Sequence, residues 1–215
     1  MTVYNLKWKY AGKILDFANK IKSTDCKKKG LYIWVENVLD KEVFNYVGKA
    51  TNCLIDRNLG HIHDQLALRY SIPEFYRRKT RYPKRYIREL NKSNSYFYIG
   101  KVLSSPDLLK ELQLNVLDYL KSIDLYFCDL SNLTSKEIST LENQVIYDFF
   151  PMENSTVSNR PPASRVAYSI EGDLKEKYQD IIDDTKALAI DNPLFHDRPN
   201  KRLKELREEQ LALQH

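Results

Sequence analysis

Two tyrosines, two basic residues and a glutamate are the groups of this chain best suited to chemistry. Arg57 and His61 stand four residues apart, so on a helix they project from one side. Arginine grips phosphate oxygens in a planar, bidentate fashion. Glu142 adjoins the apolar positions Ile138, Leu141, Val145 and Ile146, where an unpaired carboxylate is costly. A magnesium ion would remove that cost, because hard cations prefer carboxylate oxygen. Tyr32 and Tyr46 each lie in a run of aromatic and β-branched residues. A phenol ionises near pH 10, too high for a base at neutral pH. A neighbouring cation favours the phenolate, and Lys49 or Arg57 could supply it. Together these groups meet the charge balance of phosphodiester hydrolysis, which adds negative charge at phosphorus and at the leaving oxygen. Taken singly, Arg57 reads as a surface ion-pair former and His61 as a packed or exposed helix histidine. His63 has no comparable support.

The elements that must position these groups follow from local pattern. Gly30–Trp34 and Phe44–Ala50 read as strands separated by a polar segment, 36–41, with turn character. A hairpin sets Tyr32 beside Tyr46. From Thr51 to Tyr70, Leu54, Ile55, Leu59, Ile62, Leu66 and Leu68 give a helix with a broad apolar face, and Gly60 within it suggests close approach of another backbone. Residues 95–103 and 123–130 read as strands and 107–121 as a helix. Thr134 with Glu137 three residues later is a capping box that opens the helix carrying Glu142. Leu6, Tyr10, Ile14, Phe17 and Ile21 recur at three- to four-residue spacing, so residues 1–28 read as a basic helical arm. That arm is either laid along phosphates or simply solvated. After an irregular stretch at 155–162, residues 173–190 and 200–213 read as helices of a C-terminal extension, 156–215.

Composition bounds the partners. The net charge is +5, and it is concentrated. Arg77, Arg78, Lys79, Arg81, Lys84, Arg85, Arg88 and Lys92 face one acid, Glu89, within residues 77–92, with Tyr76, Tyr82 and Tyr86 nearby. From Glu171 onward the chain carries 11 acids and 8 bases. A basic, tyrosine-studded segment next to a candidate site predicts contact with a polyanion, and DNA is the natural one. Cys26, Cys53 and Cys128 match no zinc spacing. No run is long and apolar enough to cross a bilayer, and the first residues lack the apolar stretch of a signal peptide. The expectation is a cytoplasmic protein with no membrane partner.

Gly30-Leu31-Tyr32 and Tyr46-Val47-Gly48 resemble the two halves of the GIY-YIG motif, which names a family of metal-dependent DNA endonucleases. Arg57 and His61 match that family's arginine on the helix after the hairpin and its histidine one turn later. Glu142 matches the metal-binding glutamate, and Asn154, 12 residues on, the following asparagine; Asn159 is a less well placed competitor. Tyr98-Ile99-Gly100 also spells a half-motif, but lies far from Gly30 and has no Arg-x-x-x-His helix after it. Leu31 and Val47 stand where the motif has isoleucine. The long interval from His61 to Glu142 requires an insertion, placed at 71–121.

The resemblance implies an α+β fold: a small mixed or antiparallel three-stranded sheet flanked by helices, over residues 29–155. It implies a Mg²⁺-dependent double-stranded DNA endonuclease, with Mn²⁺ able to substitute, most like the small restriction-type members. Tyr32 or Tyr46 would handle the attacking water, Arg57 clamp the phosphate and Glu142 hold the metal. His61 would relay a proton or bond phosphate, and Asn154 orient the site. Arg77, Arg78, Lys79, Arg81, Lys84, Arg85 and Arg88 would bind DNA. A palindromic target would go with a homodimer, and a restriction role with a cognate methyltransferase acting separately. The rival readings are a non-catalytic nucleic-acid-binding protein that keeps the fold and a homing- or repair-type nuclease of the same family.

Overall fold

A computed structural model describes residues 3–16, 28–38, 40–67, 105–154 and 161–191, with 205 and 208. The expected DNA-binding segment at 77–92, the strand at 95–103, Asn159 and most of the last helix lie outside the described residues. The class is α+β. The chain divides into two compact units, one of residues 1–55 with 123–215, the other of residues 56–122.

The first unit is built on one sheet. Its strands are β1 (Val3–Lys13), β2 (Gly30–Val38), β3 (Lys41–Ala50), β4 (Ile123–Asp129) and β5 (Ala167–Gly172). They lie in the order β3-β2-β4-β1-β5. β2 is antiparallel to β3 and β4, β1 is antiparallel to β4, and β5 runs parallel to β1. Among the described residues the sheet has five strands, where three were expected.

The two additional strands have different origins. Where a helix was expected from residue 4, β1 forms, and strict polar–apolar alternation explains why. Leu6 and Trp8 are fully buried, while Asn5, Lys7 and Lys9 are exposed. That is the period of a strand. The three- to four-residue spacing of Leu6, Tyr10 and Ile14 skips Trp8, the largest of the buried side chains. A bulge between Tyr10 and Gly12, with Gly12 at φ 102°, shifts the register near the strand's end. β5 is short and only half buried, so its alternation is faint.

The hairpin is longer and tighter than its polar segment suggests. Glu36 and Asn37 belong to β2, which runs to Val38, and Asp40, just before β3, has φ 63°, a conformation aspartate tolerates. Glu36 stays in the sheet because Asn45 Nδ2 donates to its carboxylate at 2.8 Å, with both residues buried. β3 has one residue more than β2 at this level, since the register steps from Trp34–Tyr46 to Val35–Phe44. Asn45 is the bulged residue.

One face of the sheet carries Leu6, Trp8, Leu31, Ile33, Val35, Val47, Tyr126 and Cys128 into a core shared with helices α3 and α4. α3 (Ser135–Phe149) opens on the expected capping box: Thr134 Oγ1 accepts from Glu137 N, and Thr134 N donates to Glu137 Oε2 at 2.8 Å. Its Ile138, Leu141, Val145 and Ile146 are buried, as their spacing requires. α4 spans Tyr178–Asp191, starting later than expected because residues 173–177 form turns. The outer edge of β3 is closed by side chains. Thr185 of α4 accepts from Phe44 N at 2.8 Å, and Asn154 takes the next bonding position along. These occupy the places a further strand would take.

The second unit holds most of α1 (Leu54–Leu66) and all of α2 (Pro106–Lys121), which covers the helix expected at 107–121. No helix among the described residues is long and apolar enough to cross a membrane.

Candidate active site

Two glycines let the hairpin form with tyrosines on it. Gly30 has φ +154°, and a Cβ there would collide with the carbonyl of Cys128 on β4. Gly48 pairs with Tyr32 across the hairpin. A Cβ at Gly48 would strike the Tyr32 phenol and come within 2.7 Å of Tyr46 Cε1. The glycine ending the second half-motif is thus the floor on which the tyrosine of the first half lies.

Alternation then divides the site residues between the two faces of the sheet. Tyr32, Trp34 and Tyr46 share one face, with ring centroids 5.9 Å apart for Tyr32–Tyr46 and 5.8 Å for Trp34–Tyr46. Tyr32 is fully buried, whereas Tyr46 is partly exposed. Lys49 pairs with Leu31 in the ladder, so it projects from the opposite face, towards α3. There its ammonium donates to Glu142 Oε2 at 2.6 Å. The side chains are 35% and 15% exposed, respectively. The cost of a carboxylate beside the apolar face of α3 is therefore met by Lys49. It also follows that Lys49 is not the cation beside Tyr32.

Asn154 ends the 3₁₀ turn Met152–Asn154. Its Oδ1 accepts from Val47 N at 2.8 Å, and its Nδ2 donates to Val47 O at 2.9 Å. A side-chain amide here mimics a neighbouring strand and fixes the edge two residues before Lys49. β3 is the edge strand, so Tyr46 and Lys49 flank one edge from its two sides, with Asn154 upon it.

Arg57 and His61 lie one turn apart on α1, in the second unit. The buried stripe of this helix is not the expected run of leucines. Leu54, Ile55, Asn58, His61 and Gln65 are buried, while Leu59 is 42% exposed. Polar side chains line the covered face, which a count of apolar residues does not anticipate. Burial, then the charge of Arg57, lowers the His61 pKa to about 4, partly offset by Asp64. The imidazole is neutral at pH 7. Between pH 6.5 and about 4 the unfolded chain binds a proton that the folded chain refuses. Stability should therefore fall as pH drops through that window, by about 3 kcal/mol in all, and level off below it. Urea denaturation across this range in wild type and His61→Gln checks this. The variant is expected to lose that slope, and equal slopes would contradict the assignment.

Among the described residues Gly60 marks no close backbone approach, since nothing of them lies within 4 Å of a Cβ placed there. Gly60→Ala should stabilise the protein by about 0.5–1 kcal/mol through helix propensity alone. Thermal melting reads this as a small rise, and a fall would mean the position is constrained. His63 is largely exposed beside Asp64 and takes no part in the site.

Among the described residues no three His, Cys, Asp or Glu side chains are grouped to hold a metal. A single carboxylate still fits Mg²⁺, which keeps several waters and commonly takes one protein carboxylate plus substrate phosphate. Glu142 has that character. It is a largely buried carboxylate already drawn to a positive charge, the Lys49 ammonium. Reasoning from sequence passed over Glu36 and Asn45, the buried pair beside Tyr46. Their signal is two polar residues inside runs otherwise built of strand formers.

Comparisons with protein-family models, with curated proteins and with solved structures gave no match.

Proposed function

We propose that this chain is a Mg²⁺-dependent DNA endonuclease of the GIY-YIG type. The observation that carries this reading is the Lys49–Glu142 pair mounted on the edge of the Gly30–Ala50 hairpin, with the aromatic pair Tyr32–Tyr46 on that hairpin's other face. The adjacency of β3, β2 and β4, followed in sequence by the helix carrying Glu142, supports this reading. β1 and β5 are then additions to it.

In this reading DNA lies along the β3 edge. Tyr46, the more open tyrosine, positions the attacking water, and buried Tyr32 supports its ring from below. Glu142 would hold the metal, which when bound would supply Lewis-acid stabilisation of the scissile phosphate and the leaving oxygen. Asn154 keeps the edge in register. Arg57 clamps the phosphate and neutral His61 accepts a proton or a hydrogen bond. Those two roles rest on residue order in the sequence. Arg77 to Arg88 supply the electrostatic footprint, so affinity should fall steeply with salt. A restriction-type role fits a chain of this length with additions on both sides of the core.

Digestion of plasmid and phage DNA by the purified protein, with Mg²⁺ and with EDTA, tests the reading. Discrete bands that need the metal would support a site-specific nuclease. A smear would keep the nuclease and remove site specificity. DNA binding without cleavage would favour the non-catalytic alternative.

A further inference from the structure

Glu142 and Asp124 are the two most buried acids among the ion pairs of the described residues, at 15% and 10% exposed. They are satisfied very differently. Asp124 accepts from Tyr10 Oη, Lys13 Nζ and Asn37 Nδ2 at 2.7, 2.7 and 2.9 Å. Its oxygens are committed. Glu142 accepts from Lys49 alone among the described residues, through one oxygen. A carboxylate has about four lone-pair sites, so Glu142 keeps capacity that Asp124 has lost.

The two ends of the Lys49–Glu142 pair also differ. Glu142 is held on α3 between the buried Leu141 and the Gln144–Val145 pair. Lys49 has a flexible four-carbon stem, and its side chain is 35% exposed. Its Cα is fixed by the Leu31 ladder pair and by the Asn154 tether at Val47. The ammonium can therefore swing into water at little cost. Glu142 cannot give up a positive partner without leaving a largely buried charge uncompensated. Exchange of one cation for another keeps Glu142 neutralised, whereas simple loss of Lys49 does not.

We infer that Lys49 is a built-in counter-ion for Glu142 that a divalent cation must displace, so that Lys49 sets the metal concentration at which the site fills. This rests on Glu142 being the metal ligand. Before metal arrives, Lys49 neutralises the carboxylate and holds it in place. After it arrives, the released ammonium stays within its own length of the site, where a bound phosphate offers a new counter-charge. Metal and DNA should therefore reinforce each other's binding.

The test is Mn²⁺ binding to the full chain without DNA, read by the paramagnetic resonance signal of free Mn²⁺ and by the metal-induced rise in melting temperature. Wild type is compared with Lys49→Met, Lys49→Gln, Glu142→Gln and Lys49→Met/Glu142→Gln. Two Lys49 variants are used so that poor folding of one leaves the other to decide. Removing the ammonium should tighten Mn²⁺ binding about fivefold, as expected if the displaced ion pair is worth about 1 kcal/mol. Glu142→Gln should abolish binding in both backgrounds. If the Lys49 variants bind no tighter than wild type while binding still depends on Glu142, displacement is wrong and the metal ligand stands. If no version shows Glu142-dependent binding, Glu142 is not the ligand and both ideas fall.

Discussion

Glu142→Ala is expected to lower Mg²⁺-dependent DNA cleavage by at least about 10³-fold. A Lewis-acid metal contributes several kcal/mol to the transition state of phosphoryl chemistry, and each 1.4 kcal/mol is a factor of ten. In the proposed mechanism Glu142 is the one protein ligand assigned to the metal. The fold should survive. The substitution removes a side chain that borders the core without entering it, and Lys49 can return to solvent. The loss of a partly exposed ion pair costs roughly 1 kcal/mol or less. An unchanged melting curve with cleavage abolished would separate chemistry from folding. Cleavage within tenfold of wild type would remove Glu142 from the site.

Gly30→Ala should have the largest effect on the fold. The substitution meets two obstacles at once. The φ of +154° is strained for any residue with a Cβ, and the Cβ itself would run into the Cys128 carbonyl. That carbonyl belongs to backbone in the middle of the sheet and cannot rotate away as a side chain would. Backbone strain of about 1–3 kcal/mol and overpacking of about 1–3 kcal/mol together give roughly 2–6 kcal/mol. For a domain of this size that lowers the melting temperature by roughly 4–24 °C. The strands most affected, β2 and β4, are those on which Tyr32 and the rest of the hairpin are aligned. A melting temperature within about 2 °C of wild type would show that β2 does not approach β4 as described.

The sequence made some of this legible and hid the rest for identifiable reasons. β2, β3, β4, α2 and α3 are strongly patterned. Aromatic and β-branched runs mark the strands, and Thr134 with Glu137 writes the start of α3 in four residues. β1 was misread because lysines alternate with Leu6 and Trp8 in a stretch that can also be counted in threes and fours. β5 is too short and too little buried to stand out. Among the candidate site residues, the Tyr32–Tyr46 contact follows from any hairpin that pairs the two runs. Lys49 meeting Glu142 does not, because it depends on the register of β3 against α3, set by long-range packing. The polar buried face of α1 is hidden for a similar reason. The residue types of Asn58, His61 and Gln65 do not announce burial, which tertiary cover supplies.

The measurement that bears most directly on the nuclease reading is single-turnover digestion of supercoiled plasmid by the intact protein. Mg²⁺ is titrated from zero, and Glu142→Ala is run in parallel at equal DNA occupancy. The account predicts linear and fragment products that rise with Mg²⁺, vanish with EDTA and are absent in the variant. Plasmid left intact at every Mg²⁺ concentration while bound by the wild-type protein would contradict it.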